Sequence, residues 1–163
     1  MQVEIRKATI IDIPIIRELS ETIWKRHYIE IISIQQIEYM LDKMYSVKKL
    51  EEEINHTDYA YFIAFVNNEL AGYIAISSSD KKNFMLHKFY ILAEKRFKGI
   101  GEKVFNLVFQ SSDSISLFVN RQNYKSVNFY FKMGFKIADV IDNNIGDGYF
   151  MNDFIMKKVS DEK

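Results

Sequence analysis

The stretch from Phe84 to Phe109, FMLHKFYILAEKRFKGIGEKVFNLVF, constrains this chain more than any other. Its first part, Phe84 to Ile91, has the length and the aromatic and branched composition of a buried strand. A short charged turn, Ala93 to Lys98, leads to Gly99-Ile100-Gly101, after which Val104, Leu107 and Val108 recur at helical spacing. A strand therefore runs directly into a helix. A glycine-bearing turn at a helix N-terminus leaves backbone N–H groups without intrahelical partners and sets the positive end of the helix dipole beside them. That pairing suits an anion. Arg96, Lys98 and Lys103 add side-chain charge, and phosphate is the obvious guest. The same turn also fits a plain strand-to-helix connection with its lysines in water. Two better-known phosphate loops are excluded: the third glycine of G-x-G-x-x-G falls on Val104, and no G-K-[ST] follows.

The rest of the chain bounds the class. Its 163 residues suffice for one domain with a substantial core, and 48% hydrophobic content with 13 Phe and 10 Tyr argues against disorder. A formal charge of zero gives no electrostatic case for nucleic acid or a membrane surface. The absence of cysteine excludes disulfides, thiol catalysis and cysteine-ligated zinc, and three scattered histidines show no metal-binding spacing, so no metal is expected. Glu4, Arg6, Lys7 and Asp12 interrupt what would be the apolar region of a signal peptide, and no run approaches transmembrane length. The expected location is the cytoplasm.

In order, Val3 to Ala8 alternates as a half-buried strand, and Thr9 or Asp12 is placed to cap a helix beginning near Pro14. Ile15, Ile16, Leu19 and Ile23 form its apolar stripe. Two further helices are predicted over Ser33 to Met44 and Val47 to Ile54, the latter with a charged face that includes Glu51, Glu52 and Glu53. That run is read as solvated, with attraction of a polycation as the alternative. Tyr59 to Val66 and Leu70 to Ser77 make a hairpin, and Ser114 to Val119 is a short strand. A helix from Tyr124 to about Met133 is capped by Asn123 and ended by Gly134. Phe135 to Ile141 and Tyr149 to Lys157 are final strands joined by a flexible turn, Asp142 to Gly148. No linker, repeat or low-complexity segment appears. The class is a mixed α/β sheet with helices on both faces.

Two blocks of this sequence fall in a telling order. Arg96-Phe97-Lys98-Gly99-Ile100-Gly101 reads R-x-x-G-x-G, and Asn123-x-x-Ser126-x-x-Phe129-Tyr130 is closed by Lys132-x-Gly134-Phe135. Together they resemble the pyrophosphate loop and the second conserved block of the GNAT superfamily, the acyl-CoA-dependent N-acetyltransferases. Ser126 stands where alanine is usual, a small-for-small departure. IEYMLDKMYSVKKLEEEI, LHKFYIL and GDGYFMNDFIMKK further resemble a bacterial branch that includes spermidine/spermine acetyltransferases. The resemblance implies a single GNAT domain over residues 1–163, with a central mixed, mostly antiparallel sheet of about seven strands, splayed in the middle to admit the cofactor.

What the resemblance implies for chemistry can be assigned by position. Backbone N–H groups of Phe97, Lys98, Gly99, Ile100 and Gly101 would hold the CoA pyrophosphate, with Arg96 and Lys98 near the phosphates. Phe89, Tyr90 and Ile91 would pair with the pantetheine arm through their main chain, as an added strand does. Asn123 would contact the arm from the other wall, and Lys132 either reaches the adenosine phosphate or is a solvated helix lysine. Tyr130 is the expected general acid toward the CoA sulfur, its alternative being a buried core tyrosine. A strand N–H at Phe89 or Tyr90 would meet the oxyanion. His87 stands where many relatives carry a glutamate that orders a base water, and an imidazole suits that task near neutral pH. It equally fits a histidine satisfied in the sheet. Trp24, His27, Tyr28 and Tyr149 are candidates for the acceptor pocket, with plain packing as the alternative.

The expected activity is therefore direct acetyl transfer from acetyl-CoA to a primary amine, a polyamine-like small molecule first, with a homodimer left open. Protein or peptide N-acetylation is the second enzyme reading. A non-catalytic acyl-CoA-binding sensor is the reading from a different class.

Overall fold

The entry into the first helix is set by Arg6, Thr9 and Asp12. The Thr9 backbone N–H donates to Asp12 Oδ2 at 2.8 Å, and Arg6 donates to both oxygens of the same carboxylate, at 2.8 and 3.1 Å. These bonds hold the Asp12 carboxyl below its ordinary range, the Arg6 hydrogen bond outweighing the opposing effect of burial. A single 3-10 turn, Ile10–Asp12, then feeds α1 (Ile13–His27), with Pro14 in the first turn, where its missing N–H costs nothing. These elements are those of a computed structural model, in which residues 1–96 and 99–160 are described.

Serines start the next two helices. The Ser33 hydroxyl accepts from Gln36 N at 3.1 Å to open α2 (Ile34–Met44), and Ser46 accepts from Lys49 N at 3.2 Å to open α3 (Val47–Asn55). The strands are β1 (Val3–Lys7), β2 (Tyr59–Val66), β3 (Glu69–Ser77), β4 (Asn83–Ile91), β5 (Ser114–Asn120), β6 (Lys136–Gly146) and β7 (Tyr149–Val159). Between them lie α4 (Ile100–Val108) and α5 (Tyr124–Lys132). Strand order is β1-β2-β3-β4-β5-β7-β6 in one seven-stranded mixed sheet. The β4–β5 ladder is parallel, and β1–β2, β2–β3, β5–β7 and β6–β7 are antiparallel.

The chain groups into two compact units, and β4 contributes to both. The first comprises 1–77 and 88–110. Its core joins Ile16, Leu19 and Ile23 of α1, Ile37 of α2 and Leu50 of α3 with Ile63 of β2 and Ile74 of β3. Ala71 to Ile76 is buried without interruption, the mark of a strand covered on both faces. Gly72 lies within this run because β4 leaves no room: a Cβ there would sit 2.0 Å from the Tyr90 carbonyl oxygen.

The second unit comprises 78–87 and 111–163. Leu86 faces Leu117 across the parallel ladder, which is recorded from Asn83↔Ser114 to Leu86↔Leu117. Ile115, Leu117 and Val119 alternate inward and pack with Met156, Val127 and Phe135 in the unit's core. One expectation is corrected here. The ladder continues through the supposed turn, with Asp142, Asn143 and Asn144 opposite Asn152, Met151 and Phe150, and reverses only at Asp147–Gly148. β6 is an edge strand and mostly exposed, so its polar composition reports solvent contact rather than absence of a strand.

Candidate active site

In the first unit, β4 delivers the chain to the glycine turn. The Leu92 N–H donates to the Ala71 carbonyl at 2.8 Å, and Arg96 Nε donates to the Ile91 carbonyl at 2.7 Å, which ties the turn back to the strand it leaves. Burial pulls the Arg96 pKa down, against the attraction of Tyr28 and Glu94. Phe97 and Lys98, two of the expected phosphate contacts, lie outside the described residues. Gly99 is the N-cap of α4 at φ 73°, ψ 20°, a left-handed conformation that favours glycine, and the space where a Cβ would stand is open. Its carbonyl accepts from Lys103 N at 3.0 Å, so the helix winds directly from it. Ile100 is buried beneath the turn, and Gly101 follows in the first helical turn. Phe89 packs edge-on against Phe105 of α4, ring centroids 6.1 Å apart.

Trp24, His27 and Tyr28 come together at the end of α1 in the same unit. Trp24 stacks on Tyr28 at 4.4 Å, meets Tyr45 and Tyr90 edge-on at 6.0 and 6.4 Å, and donates from Nε1 to the Tyr45 hydroxyl at 3.2 Å. His27 stands edge-on to Tyr28 at 5.2 Å. Tyr45 was not singled out from the sequence, although it joins α1 to Tyr90 of β4. Burial raises the pKa of the Tyr45 and Tyr73 hydroxyls well above normal, so both remain neutral.

A buried charged group lies below this cluster. Lys88 is 5% exposed. Its Nζ is 3.0 Å from Glu53 Oε2, also bonds the Tyr61 hydroxyl, and stands 4.9 and 5.0 Å from the ring centres of Tyr45 and Tyr61. The Tyr61 hydroxyl in turn donates to Glu53. Burial lowers the Lys88 pKa, with Glu53 opposing it. Burial would raise that of Glu53, but Lys88 and Tyr61 outweigh it and hold the carboxyl below normal. Glu53 is therefore committed to the interior, not solvated with Glu51 and Glu52. The signal was the alternation Leu86, Lys88, Tyr90, which puts the lysine on the face of a buried leucine.

The second unit carries the other candidates. The Asn123 side chain, 3% exposed, caps α5 by accepting from Ser126 N at 3.3 Å. Tyr130 is 8% exposed, its ring edge-on to Phe129 and Phe135 at 5.4 Å each. Lys132 is exposed in the last turn of α5, His87 is exposed on β4, and Tyr149 is half-buried opposite Gly146.

Asp153 of β7 is 3% exposed, and its Oδ1 has no hydrogen-bond partner among the described residues. Burial pushes its pKa up to about 6, with Arg121 pulling weakly the other way. A carboxyl raised from 3.8 to about 6 by folding holds its proton longer in the folded state, so stability falls as pH rises through that window. Asp153→Asn should therefore be more stable than the parent at pH 7, by up to about 3 kcal/mol. That advantage should shrink toward pH 4 when the two are melted side by side. Equal melting differences at both pH values would mean that the carboxylate is effectively solvated.

Among the described residues no helix is long and apolar enough to cross a membrane, and no group of three or more His, Cys, Asp or Glu is placed to hold a metal ion. Residues 29–147 match the acetyltransferase (GNAT) domain family, and the chain belongs to that family, whose acyl donor is acetyl-CoA. It is 32% identical to a spermidine N(1)-acetyltransferase of Thermoplasma acidophilum over 97% of this chain and 98% of that one. The structure of the PaiA N-acetyltransferase from the same organism, in complex with coenzyme A, superposes with TM-score 0.80 at 31% identity, covering 98% and 99% of the two chains. Arabidopsis thaliana Naa50, bound to a bisubstrate analogue, shares the fold at TM-score 0.69 and 19% identity, over 97% and 99%. The sheet order and the glycine-led helix after β4 are thus those of an N-acetyltransferase.

Proposed function

We propose that residues 1–163 work as one domain that moves an acetyl group from acetyl-CoA directly to a primary amine of a small molecule, a polyamine being the first candidate. The observation that carries this reading is the open left-handed turn at Gly99, from which α4 winds as the next α-helix after β4, because a helix N-terminus offers N–H groups without intrahelical partners to an anion. The N–H groups of residues 97–101 hold the pyrophosphate, and the main chain of Phe89 to Ile91 pairs with the pantetheine arm. Likeness over nearly the whole length to a spermidine acetyltransferase supports the amine class.

Amine acetylation needs a neutral nitrogen, a donor for the oxyanion and a proton for the departing thiolate. Tyr130 supplies the proton, a backbone N–H at Phe89 or Tyr90 meets the oxyanion, and His87 orders the water that takes the amine's proton. The candidates for the acceptor are Trp24, His27 and the half-buried Tyr28 in the first unit and, separately, Tyr149 in the second.

The test is thiol release from acetyl-CoA with spermidine, spermine, simple amines, amino acids and short peptides. Release that depends on a polyamine is expected. Release with peptides alone moves the assignment to protein acetylation, and binding of acetyl-CoA without release with any acceptor makes the chain a sensor.

The phosphate turn has its own test. Gly99→Glu adds a carboxylate beside the proposed pyrophosphate and should abolish CoA binding in a calorimetric titration. Gly99→Ala bears only the left-handed strain, about 1–2 kcal/mol, and should keep most of the affinity. Retained affinity in the glutamate variant would remove the turn from the cofactor site.

A further inference from the structure

Asp153 is a buried anion with a missing partner. A carboxylate taken out of water is costly unless paired, and no group among the described residues donates to its Oδ1. The Arg121 guanidinium is bonded to Asp142. Asn120, directly opposite Asp153 on β5, uses its side-chain oxygen to accept from Gln122 N at 2.9 Å. Ile141, opposite on β6, has nothing to offer. Among the described residues, Oδ1 is left without a donor.

Register places this oxygen relative to a candidate of the proposed reaction. Met85 pairs with Ser116, and residues two apart share a face, so His87 lies on the face of Ser116, Phe118 and Asn120. Asp153 pairs with Asn120 and Ile155 with Phe118, which puts Asp153 on that face too. Leu117, Val119 and Met156 point to the other side, into the core. Asp153 and His87 are thus on one face of the sheet, two strands apart (about 10 Å at regular strand spacing) and offset by two residues, about 7 Å, along the strands. An extended triamine is long enough to approach both, a gap of about 12 Å.

We infer that Asp153 binds the non-reacting ammonium of a polyamine acceptor, an inference that rests on the small-amine reading above. A carboxylate beside the reacting nitrogen would favour its charged form and oppose attack, whereas beside a second nitrogen the same charge simply anchors the substrate. The acceptor class is then an amine with a second positive charge along its chain, and neutral-tailed monoamines lack the anchor.

The experiment compares wild type and Asp153→Asn in thiol release with spermidine and with n-butylamine. A charged hydrogen bond of this kind corresponds to about 10–100-fold in binding. The KM for spermidine should rise by about that factor, with kcat, the KM for butylamine and the calorimetric Kd for acetyl-CoA little changed. Equal changes for both amines, or none for spermidine, overturn the assignment. Asp153→Ser, which also removes the charge, carries the same expectations and serves as the second variant. If wild type acetylates no amine, the small-amine reading fails, and calorimetric titration of spermidine into the CoA-bound protein decides Asp153 separately. Binding lost in the variant supports the anchor, and binding unchanged or absent in wild type overturns it.

Discussion

Tyr130→Phe should lower kcat by about 10²–10⁴-fold, the range over which positioned proton transfer contributes to catalysis. Acetyl-CoA affinity should be nearly unchanged. The split follows from how the residue is held. Its ring packs edge-on between Phe129 and Phe135, and phenylalanine keeps those contacts, so the variant loses a hydroxyl and little packing. An interaction made only in the transition state lowers kcat and kcat/KM together and leaves the ground state alone. Single-turnover acetyl transfer with a calorimetric Kd for acetyl-CoA separates the two. If rate and binding fall by the same factor, Tyr130 is a packing residue and the proton comes from elsewhere.

The largest effect on stability is expected in the first unit. Lys88→Met or Glu53→Gln alone should cost about 3–5 kcal/mol, because each leaves a charge in the interior without its partner. The double variant should cost far less than the sum. The two singles differ in a useful way. After Lys88→Met, Glu53 still has Lys49 at 3.6 Å. After Glu53→Gln, Lys88 keeps only the Tyr61 hydroxyl and the ring faces of Tyr45 and Tyr61. An isolated lysine in that position can shed its proton, and from an ordinary pKa of 10.5 this limits the loss at pH 7 to about 5 kcal/mol. A lysine whose folded pKa is depressed binds fewer protons folded than unfolded, so the Glu53→Gln variant should gain stability as pH rises toward 10. Urea unfolding of both singles and the double, at pH 7 and 9, gives the cycle directly. Single losses below about 1 kcal/mol would mean that water reaches the pair.

Local signals carried far. The caps at Ser33 and Ser46 were not needed to find α2 and α3, since the apolar stripes alone predicted both helices to within a residue or two. β2 was legible end to end because β-branched and aromatic residues leave no helical alternative there. The glycine turn was legible as well, since two glycines between a strand pattern and a helical one mark a turn, and Gly99 takes the left-handed φ of 73° that glycine tolerates. β6 was misread in part, because an edge strand facing solvent has no apolar face to announce it.

The sequence by itself determined the mixed α/β class, the seven strands, the glycine turn and the family, all of which follow from periodicity within short windows or from two contiguous blocks. Only the tertiary structure decided what the buried charges do. Helical spacing puts Glu53, unlike Glu52, on the side of buried Leu50, but nothing local says that it meets a lysine or that Asp153 differs from a carboxylate in water. Which of them loses its hydration, and which finds a lysine or keeps an oxygen without a donor among the described residues, depends on strands and helices tens of residues away. Burial is a property of the folded neighbourhood, and with it the cost, the pairing and the chemistry of a charge.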